Sequence, residues 1–165
     1  MIHYITPGRS DLNYGKSIND HIKHLPNDAW IVLRDIDTMP AYHEKFFWFC
    51  EQYSKTQYGL IGCMTNRLGL KHHLHNGQMS LNTDWKLHRS IGKDRFRVYG
   101  NKIQKCNFEM REMADTIGGV FMMFPKKTWL KVGGFEEGGV SVGGYFIDYL
   151  FSKAVLACGF KIDSL

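Results

Sequence analysis

The sequence predicts an α/β layered fold, because short apolar runs alternate with longer segments that have a helical pattern. Three runs are continuously apolar, which is typical of strands buried on both faces of a sheet. They lie at 29–33, 60–64 and 119–124. The length of 165 residues suits one domain, and the 44% hydrophobic content can supply its core.

The predicted elements follow in order along the chain. Asp11 or Ser10 is expected to cap the first helix, and Gly159 to end the last one. Before residue 65 we expect a strand at 1–6, a helix to about 24, the strand at 29–33, a helix from 41 to about 54 and the strand at 60–64. After it we expect a short helix at 84–91, the strand at 119–124, a helix at 125–132, a glycine-rich loop at 133–144, a helix at 146–158 and a strand at 160–162.

Charge and composition narrow the class of protein. The formal net charge of +5 is mild, and suits either a ligand that carries phosphates or solubility alone. No dense block of lysine and arginine indicates a nucleic-acid partner. No apolar run is long enough for a membrane span or a signal peptide, so a cytoplasmic protein is expected. The four cysteines form no Cys-x-x-Cys pair, which favours reduced thiols.

Two carboxylates, Asp35 and Asp37, follow the predicted strand at 29–33. Being two residues apart on an extended segment, they share a face and can converge on one point. Such convergence is unfavourable unless a cation lies between them, and Mg²⁺ or Mn²⁺ prefers oxygen ligands that it shares with phosphates. Ligands of open α/β sheets bind beyond the carboxyl ends of the strands, so the pair predicts a metal site there. A turn that merely favours aspartate is the alternative.

Four segments, in this order, resemble the family 2 glycosyltransferases of the GT-A fold. They are the Asn-x-Gly-x-x-x-Asn segment at 13–19, the strand and Asp-x-Asp block at 31–40, the acceptor-side block at 118–137, and Asp148 followed by the Gly-aromatic-Lys segment at 159–161. The chain departs from the family pattern in two places. Residues 7–30 are few for the additional strand and helix that the family usually has there, and Ile147 stands where the family has the Glu of a Glu-Asp pair.

The resemblance implies a single GT-A-like domain with a mixed central sheet flanked by helices. Residues 1–64 would form the nucleotide- and metal-binding half, and residues 65–165 the acceptor half. The implied reaction transfers a sugar from a nucleoside-diphosphate donor to a hydroxyl of a glycan or another acceptor, with Mn²⁺ or Mg²⁺ as cofactor and inversion at the anomeric carbon.

The resemblance also implies roles for individual residues. Asp37 is the expected direct metal ligand, Asp35 reaches the metal or the ribose, and Asp148 takes the proton from the acceptor hydroxyl. For Asp148 the alternative is a carboxylate that stabilises a helix start. The expected donor-binding residues are Thr6, Pro7, Gly15, Asp35 and Arg67, and the expected acceptor- or sugar-binding residues are Gly133, Gly134, Phe135 and Glu136.

Two other interpretations stay open at this point. Gly15-Lys16-Ser17 after a first strand suggests the phosphate-binding loop of an NTPase, although that motif has glycine where this chain has Ser10. The second alternative is a non-catalytic module that binds sugars or nucleotides on the same fold.

Overall fold

A computed structural model describes residues 1–7, 13–35, 38–63, 65, 80–104, 116–139, 141–142 and 145–164. Five helices and seven strands lie in these ranges. In chain order they are β1 (Ile2–Ile5), α1 (Tyr14–Lys23), β2 (Trp30–Arg34), α2 (His43–Tyr53), β3 (Leu60–Gly62), α3 (Trp85–Gln104), β4 (Phe121–Pro125), α4 (Lys126–Val132), β5 (Ser141–Val142), β6 (Tyr145–Phe146), α5 (Ile147–Ala157) and β7 (Ile162–Ser164).

The main sheet has five strands in the order β1-β2-β4-β3-β7. It is mixed, because β1 is parallel to β2 and β3 is parallel to β7, whereas β4 is antiparallel to both of its neighbours. Strands β5 and β6 form a separate antiparallel pair. The predicted α/β fold is therefore confirmed. Because β1 and β2 are parallel, their carboxyl ends lie at the same edge of the sheet.

The sheet has a hydrophobic core on each of its two faces. On the cleft face, which is our name for the side packed by α1 and α5, the buried side chains of Leu33 and Phe124 meet those of both helices. On the aromatic face, which is the side packed by α2, Val32 and Met123 meet Cys50 and Tyr53 of that helix. The alternation of Val32 and Leu33 between the two cores follows from the period of two along a strand.

Three local predictions differ from the structure. Helix α1 begins at Tyr14 and is capped by Asn13, whose Oδ1 accepts a hydrogen bond of 2.9 Å from the backbone N–H of Lys16, so the predicted caps Asp11 and Ser10 were wrong. Helix α3 spans 20 residues, although only a short helix was predicted there, because its polar sequence has a weak apolar period. The predicted glycine-rich loop at 133–144 contains strand β5, which pairs with β6 just beyond the predicted end of the loop. None of the helices in the described ranges is both long and apolar enough to cross a membrane.

Candidate functional site

A cleft of about 280 Å³ on the cleft face contains two of the predicted site carboxylates. Asp35 follows β2, and Asp148 lies in the first turn of α5, so the fold brings together two residues that are far apart in sequence. The remaining lining comes from Tyr14, Ile18, Leu33, Gly119, Val120, Met122, Phe135, Phe146 and Ile147. A concave space of this kind, largely apolar with a few convergent polar groups, is the usual form of a small-molecule site.

Asp35 is held by contacts on both its backbone and its side chain. Its backbone N–H donates to the Val120 carbonyl at 3.3 Å, which extends the β2–β4 pairing by one residue. Its carbonyl accepts from the Thr38 hydroxyl at 2.8 Å, which ties Thr38 to Asp35. The Tyr14 hydroxyl donates to Asp35 Oδ1 at 3.3 Å. This carboxylate is therefore directed towards the start of α1. Asp37, its predicted partner in metal binding, lies outside the described residues.

Asp148 is fixed by two backbone N–H groups. Gly119 donates to its Oδ2 at 2.6 Å, and Tyr149 donates to its Oδ1 at 2.8 Å. A side chain at position 119 would crowd this arrangement, since an added Cβ would lie 3.2 Å from Oδ2. Ser152 ties the same turn of α5 to the chain before β4, because its Oγ donates to the Asp148 carbonyl at 2.8 Å and accepts from the Ile117 N–H at 3.0 Å.

Asn19 fixes the segment that follows α4. Its Nδ2 donates to the Phe135 carbonyl at 2.8 Å, while its Oδ1 accepts from the Phe135 N–H at 2.9 Å. The same Oδ1 accepts from Trp129 Nε1 at 2.9 Å. Asn13 adds a contact further along, because its Oδ1 accepts from the Gly138 N–H at 2.7 Å as well as capping α1. The two asparagines of the 13–19 segment therefore hold residues 135–138 against α1.

Gly15, a predicted donor-binding residue, is buried beneath this loop. Its N–H donates to the Gly138 carbonyl at 3.3 Å. An added Cβ would lie only 1.8 Å from the Glu136 carbonyl oxygen, so glycine is required for the loop to approach α1 this closely. The observed role of Gly15 is in packing, and its donor role remains a prediction.

The four predicted acceptor-side residues occupy different positions. Gly133 and Gly134 have φ of 86° and 90° and end α4, and the Gly134 N–H donates to the Trp129 carbonyl at 3.0 Å. Phe135 lines the cleft and stacks on Phe151, with ring centroids 4.0 Å apart and an interplanar angle of 7°. Glu136 is exposed. Of these four, Phe135 is the one that the cleft lining includes.

The other predicted residues lie elsewhere. Thr6 lines a second pocket, on the aromatic face, and Pro7 beside it is buried. Arg67 lies outside the described residues. Lys16, the lysine of the phosphate-loop interpretation, is exposed on α1 and forms an ion pair with Asp20.

Sequence reasoning missed the residues that orient the two carboxylates. Tyr14 stands inside the 13–19 segment, but nothing in its pattern indicates a contact with Asp35. Gly119 acts through its backbone N–H, which leaves no signal in the residue type beyond the small size that the close approach requires. Asn13 and Asn19 were part of the recognised segment, but they had not been expected to hold the loop at 135–138.

The described part of the cleft is acidic, because Asp35 and Asp148 line it and no lysine, arginine or histidine is among its described lining residues. Two carboxylates at one small site favour a cation, and either can accept a proton from a bound hydroxyl. Within the described ranges no group of three or more His, Cys, Asp and Glu side chains is placed to hold a metal ion. Comparisons of the chain with protein-family models, curated proteins and solved structures find no match.

Proposed function

We propose that the protein is a metal-dependent glycosyltransferase of GT-A-like fold that transfers a sugar from a nucleoside diphosphate to an acceptor hydroxyl. The observation that carries the proposal is the shared cleft of Asp35 and Asp148 at the carboxyl end of β2. The mixed sheet agrees with the fold that the resemblance implies. The four segments of the resemblance support the same reaction class, since each contributes residues to the lining of this cleft.

Asp35 belongs to the donor side of the proposed reaction. A carboxylate at a strand end suits a divalent cation, which prefers oxygen ligands and, when bound, stabilises the diphosphate that leaves. Asp35, with Asp37, would hold that cation. Tyr14 positions the Asp35 carboxylate through the hydrogen bond to Oδ1.

Asp148 is the proposed general base. The N–H groups of Gly119 and Tyr149 each engage one of its oxygens, which fixes the plane of the carboxylate in the cleft. A carboxylate oxygen can accept more than one hydrogen bond, so an acceptor hydroxyl can still donate to it. Attack by that hydroxyl on the face of the sugar opposite the leaving diphosphate gives inversion at the anomeric carbon.

The test measures the release of nucleoside diphosphate from a panel of UDP-, GDP- and ADP-sugars, with Mn²⁺, with Mg²⁺ and with a chelator. Asp148→Asn is expected to lower kcat about a hundredfold and to leave the Kd of the donor within about twofold, because general-base catalysis typically contributes at least that factor. Asp35→Asn is expected to weaken donor binding and its dependence on metal. Turnover that is unaffected by both substitutions, or by the chelator, would overturn the proposal.

A second candidate is a non-catalytic module that binds nucleotide sugars in the same cleft. The observation in its favour is that both Asp148 oxygens already accept backbone N–H groups in the first turn of α5, as a purely structural carboxylate does. The two candidates differ in one result. A binding module takes up the donor in a titration calorimeter, but releases no product from any acceptor mixture, and Asp148→Asn then changes only its stability.

A further inference from the structure

A second pocket, of about 510 Å³, lies on the aromatic face at the carboxyl ends of β1 and β2. We call it the aromatic pocket. Its walls include Tyr4, Phe46 and Phe47, and its polar lining includes Thr6, Arg34 and His43. Its volume is in the range of sites that bury small organic ligands.

The aromatic rings of this pocket pack on one another and leave part of their surface exposed. Tyr4 and Phe47 meet edge to face, with centroids 5.3 Å apart at an interplanar angle of 80°, and Phe46 meets Phe47 at 5.4 Å and 71°. Phe47 is nevertheless 65% exposed and Tyr4 46% exposed, so both present ring surface to solvent. A planar heteroaromatic ring would cover this surface by stacking or by edge-to-face contact.

The wall formed by Tyr4 is uncharged at physiological pH. Burial, together with the neighbouring Cys50 thiol to which its hydroxyl is hydrogen-bonded, raises the pKa of Tyr4 to about 12. The polar end of Tyr4 is therefore engaged inside the protein, and its ring is left as the ligand-facing part.

The aromatic pocket and the acidic cleft meet at consecutive residues. Arg34 lines the pocket and Asp35 lines the cleft, on the two sides of the same strand end. Among the described residues no carboxylate pairs with Arg34, whose guanidinium suits the bidentate binding of phosphate oxygens. Across the strand end the order is therefore the aromatic pocket, the positively charged Arg34 side chain and the acidic cleft.

A nucleoside-diphosphate sugar has the matching order of parts, which are a flat neutral base, a diphosphate and a hydroxylated sugar. Resting on the proposed function, we propose that the aromatic pocket binds the nucleobase of the donor, and that Arg34 binds its diphosphate on the way to the cleft of Asp35 and Asp148. Helix α2 then determines which base is accepted, because it supplies Phe46 and Phe47.

The experiment compares Mn²⁺-dependent binding of UDP, GDP, ADP and CDP with that of pyrophosphate, which lacks a base, by titration calorimetry. Phe47→Ala removes an exposed ring, and the fold should tolerate it. Leu130→Ala is the matched control, because Leu130 is 52% exposed on α4 and lines neither pocket. We expect Phe47→Ala to weaken the preferred nucleoside diphosphate about tenfold, the size of one lost stacking contact, and to leave pyrophosphate unchanged. The control should change neither.

The outcomes separate this inference from the proposed function. If the wild type binds nucleoside diphosphates and Phe47→Ala binds them equally well, the base lies elsewhere and the inference is overturned while the function stands. A wild type that binds pyrophosphate as tightly as every nucleoside diphosphate also overturns the inference alone. A wild type that binds none of these ligands with metal overturns the proposed function, and the inference with it.

Photolabelling gives an independent measure of location. Nucleoside diphosphates that carry an azide on the base should label peptides from α2 (His43–Tyr53), and Phe47→Ala should reduce the labelling. Labelling confined to the segment at 133–138 would place the base in the cleft and overturn the inference.

Discussion

On the cleft face of the sheet, polar side chains hold backbone atoms in place, whereas on the aromatic face helix α2 is held by buried rings. Asn19 and Asp148 each bind two or more groups at distances between 2.6 and 2.9 Å. On the other face, the ring of Phe46 on α2 packs edge to face on that of Phe121 on β4, with centroids 5.9 Å apart, and the buried ring of Tyr53 on α2 belongs to the same core as Val32 and Met123 of the sheet. The elements around the carboxyl end of β2 are therefore held by hydrogen bonds on one face of the sheet and by aromatic packing on the other.

The difference matters for function, because the two kinds of contact constrain geometry unequally. Hydrogen bonds require a narrow range of distance and angle, so the groups around Asp148 have one arrangement. Apolar packing tolerates changes of shape when volume is kept, so a pocket made of rings can adapt to its ligand. The cleft face is therefore the better support for the position-sensitive chemistry that we propose there, and the aromatic face for the adaptable binding that we propose there.

The largest expected effect comes from Asn19→Ala. The substitution leaves the N–H and the carbonyl of Phe135, together with Trp129 Nε1, without their partner. Unsatisfied groups of this kind cost about 3 kcal/mol in total, and we expect the free energy of unfolding in urea to fall by about that amount. Donor binding should also weaken, because Phe135 lines the cleft.

The control for this substitution is Asn27→Ala, at an exposed position of the turn before β2. It removes the same side chain without breaking any contact of the cleft face, and its free energy of unfolding should stay within about 0.5 kcal/mol of the wild type. Equal losses from Asn19→Ala and Asn27→Ala would show that the loop at 135–138 is not held by Asn19, and the comparison of the two faces would fail.

The parts of the fold that the sequence predicted are those with a strong local pattern. Strand β2 follows from a continuous apolar run, and its residues 31–33 are buried as that run requires. The end of α5 follows from Gly159, which has φ of 80°. Asp35 and Asp148 were predicted as one site through a family resemblance; both line one cleft, and their roles in it remain a prediction.

What the sequence could not predict depends on contacts between distant segments. The aromatic pocket forms only when β1 pairs with β2 and α2 packs against them. The hydrophobic pattern within a single segment indicates neither of these contacts. Lys126 gives another example, because it is 4% exposed and its Nζ donates to the carbonyls of Lys23, the last residue of α1, and of Leu25, at 3.0 and 2.5 Å. A lysine that opens a short helix gives no sign in sequence that it is buried.

The second prediction tests the aromatic face with alkaline pH. Burial raises the pKa of the Cys50 thiol to about 11, from an ordinary value of 9.0. The folded state therefore holds this proton more tightly than the unfolded chain, so the stabilisation is complete below pH 9 and is lost as pH rises through 11. A shift of this size corresponds to at most about 3 kcal/mol of the free energy of unfolding.

The measurement is the free energy of unfolding in urea for the wild type and for Cys50→Ala across this window. Cys50→Ala should be less stable at neutral pH because it leaves a cavity, but its decline between pH 9 and pH 11 should be shallower. Asn19→Ala, a change on the cleft face, should keep the slope of the wild type. Parallel curves for the wild type and Cys50→Ala would contradict the assignment of this pH dependence to the thiol.

The smallest expected effect concerns the exposed ion pairs on the outer sides of α1 and α2. Asp20 on α1 pairs with Lys16 and, at 2.6 Å, with Lys23, and these two hydrogen bonds lower its pKa to about 2. On α2, Glu51 pairs with one lysine among the described residues, Lys55, at 3.5 Å. All three pairs are solvent-exposed, so each should contribute little, and less in high salt.

Asp20→Asn and Glu51→Gln give the matched test of these pairs. Because folding lowers the pKa of Asp20, its contribution is present above the ordinary value of 3.8 and is lost as pH falls through about 2. At neutral pH and low salt, Asp20→Asn should therefore lower the urea midpoint slightly more than Glu51→Gln does, and its difference from the wild type should vanish near pH 2. A larger effect of Glu51→Gln, or a difference for Asp20→Asn that persists in acid, would show that contacts other than the two lysines set the role of Asp20.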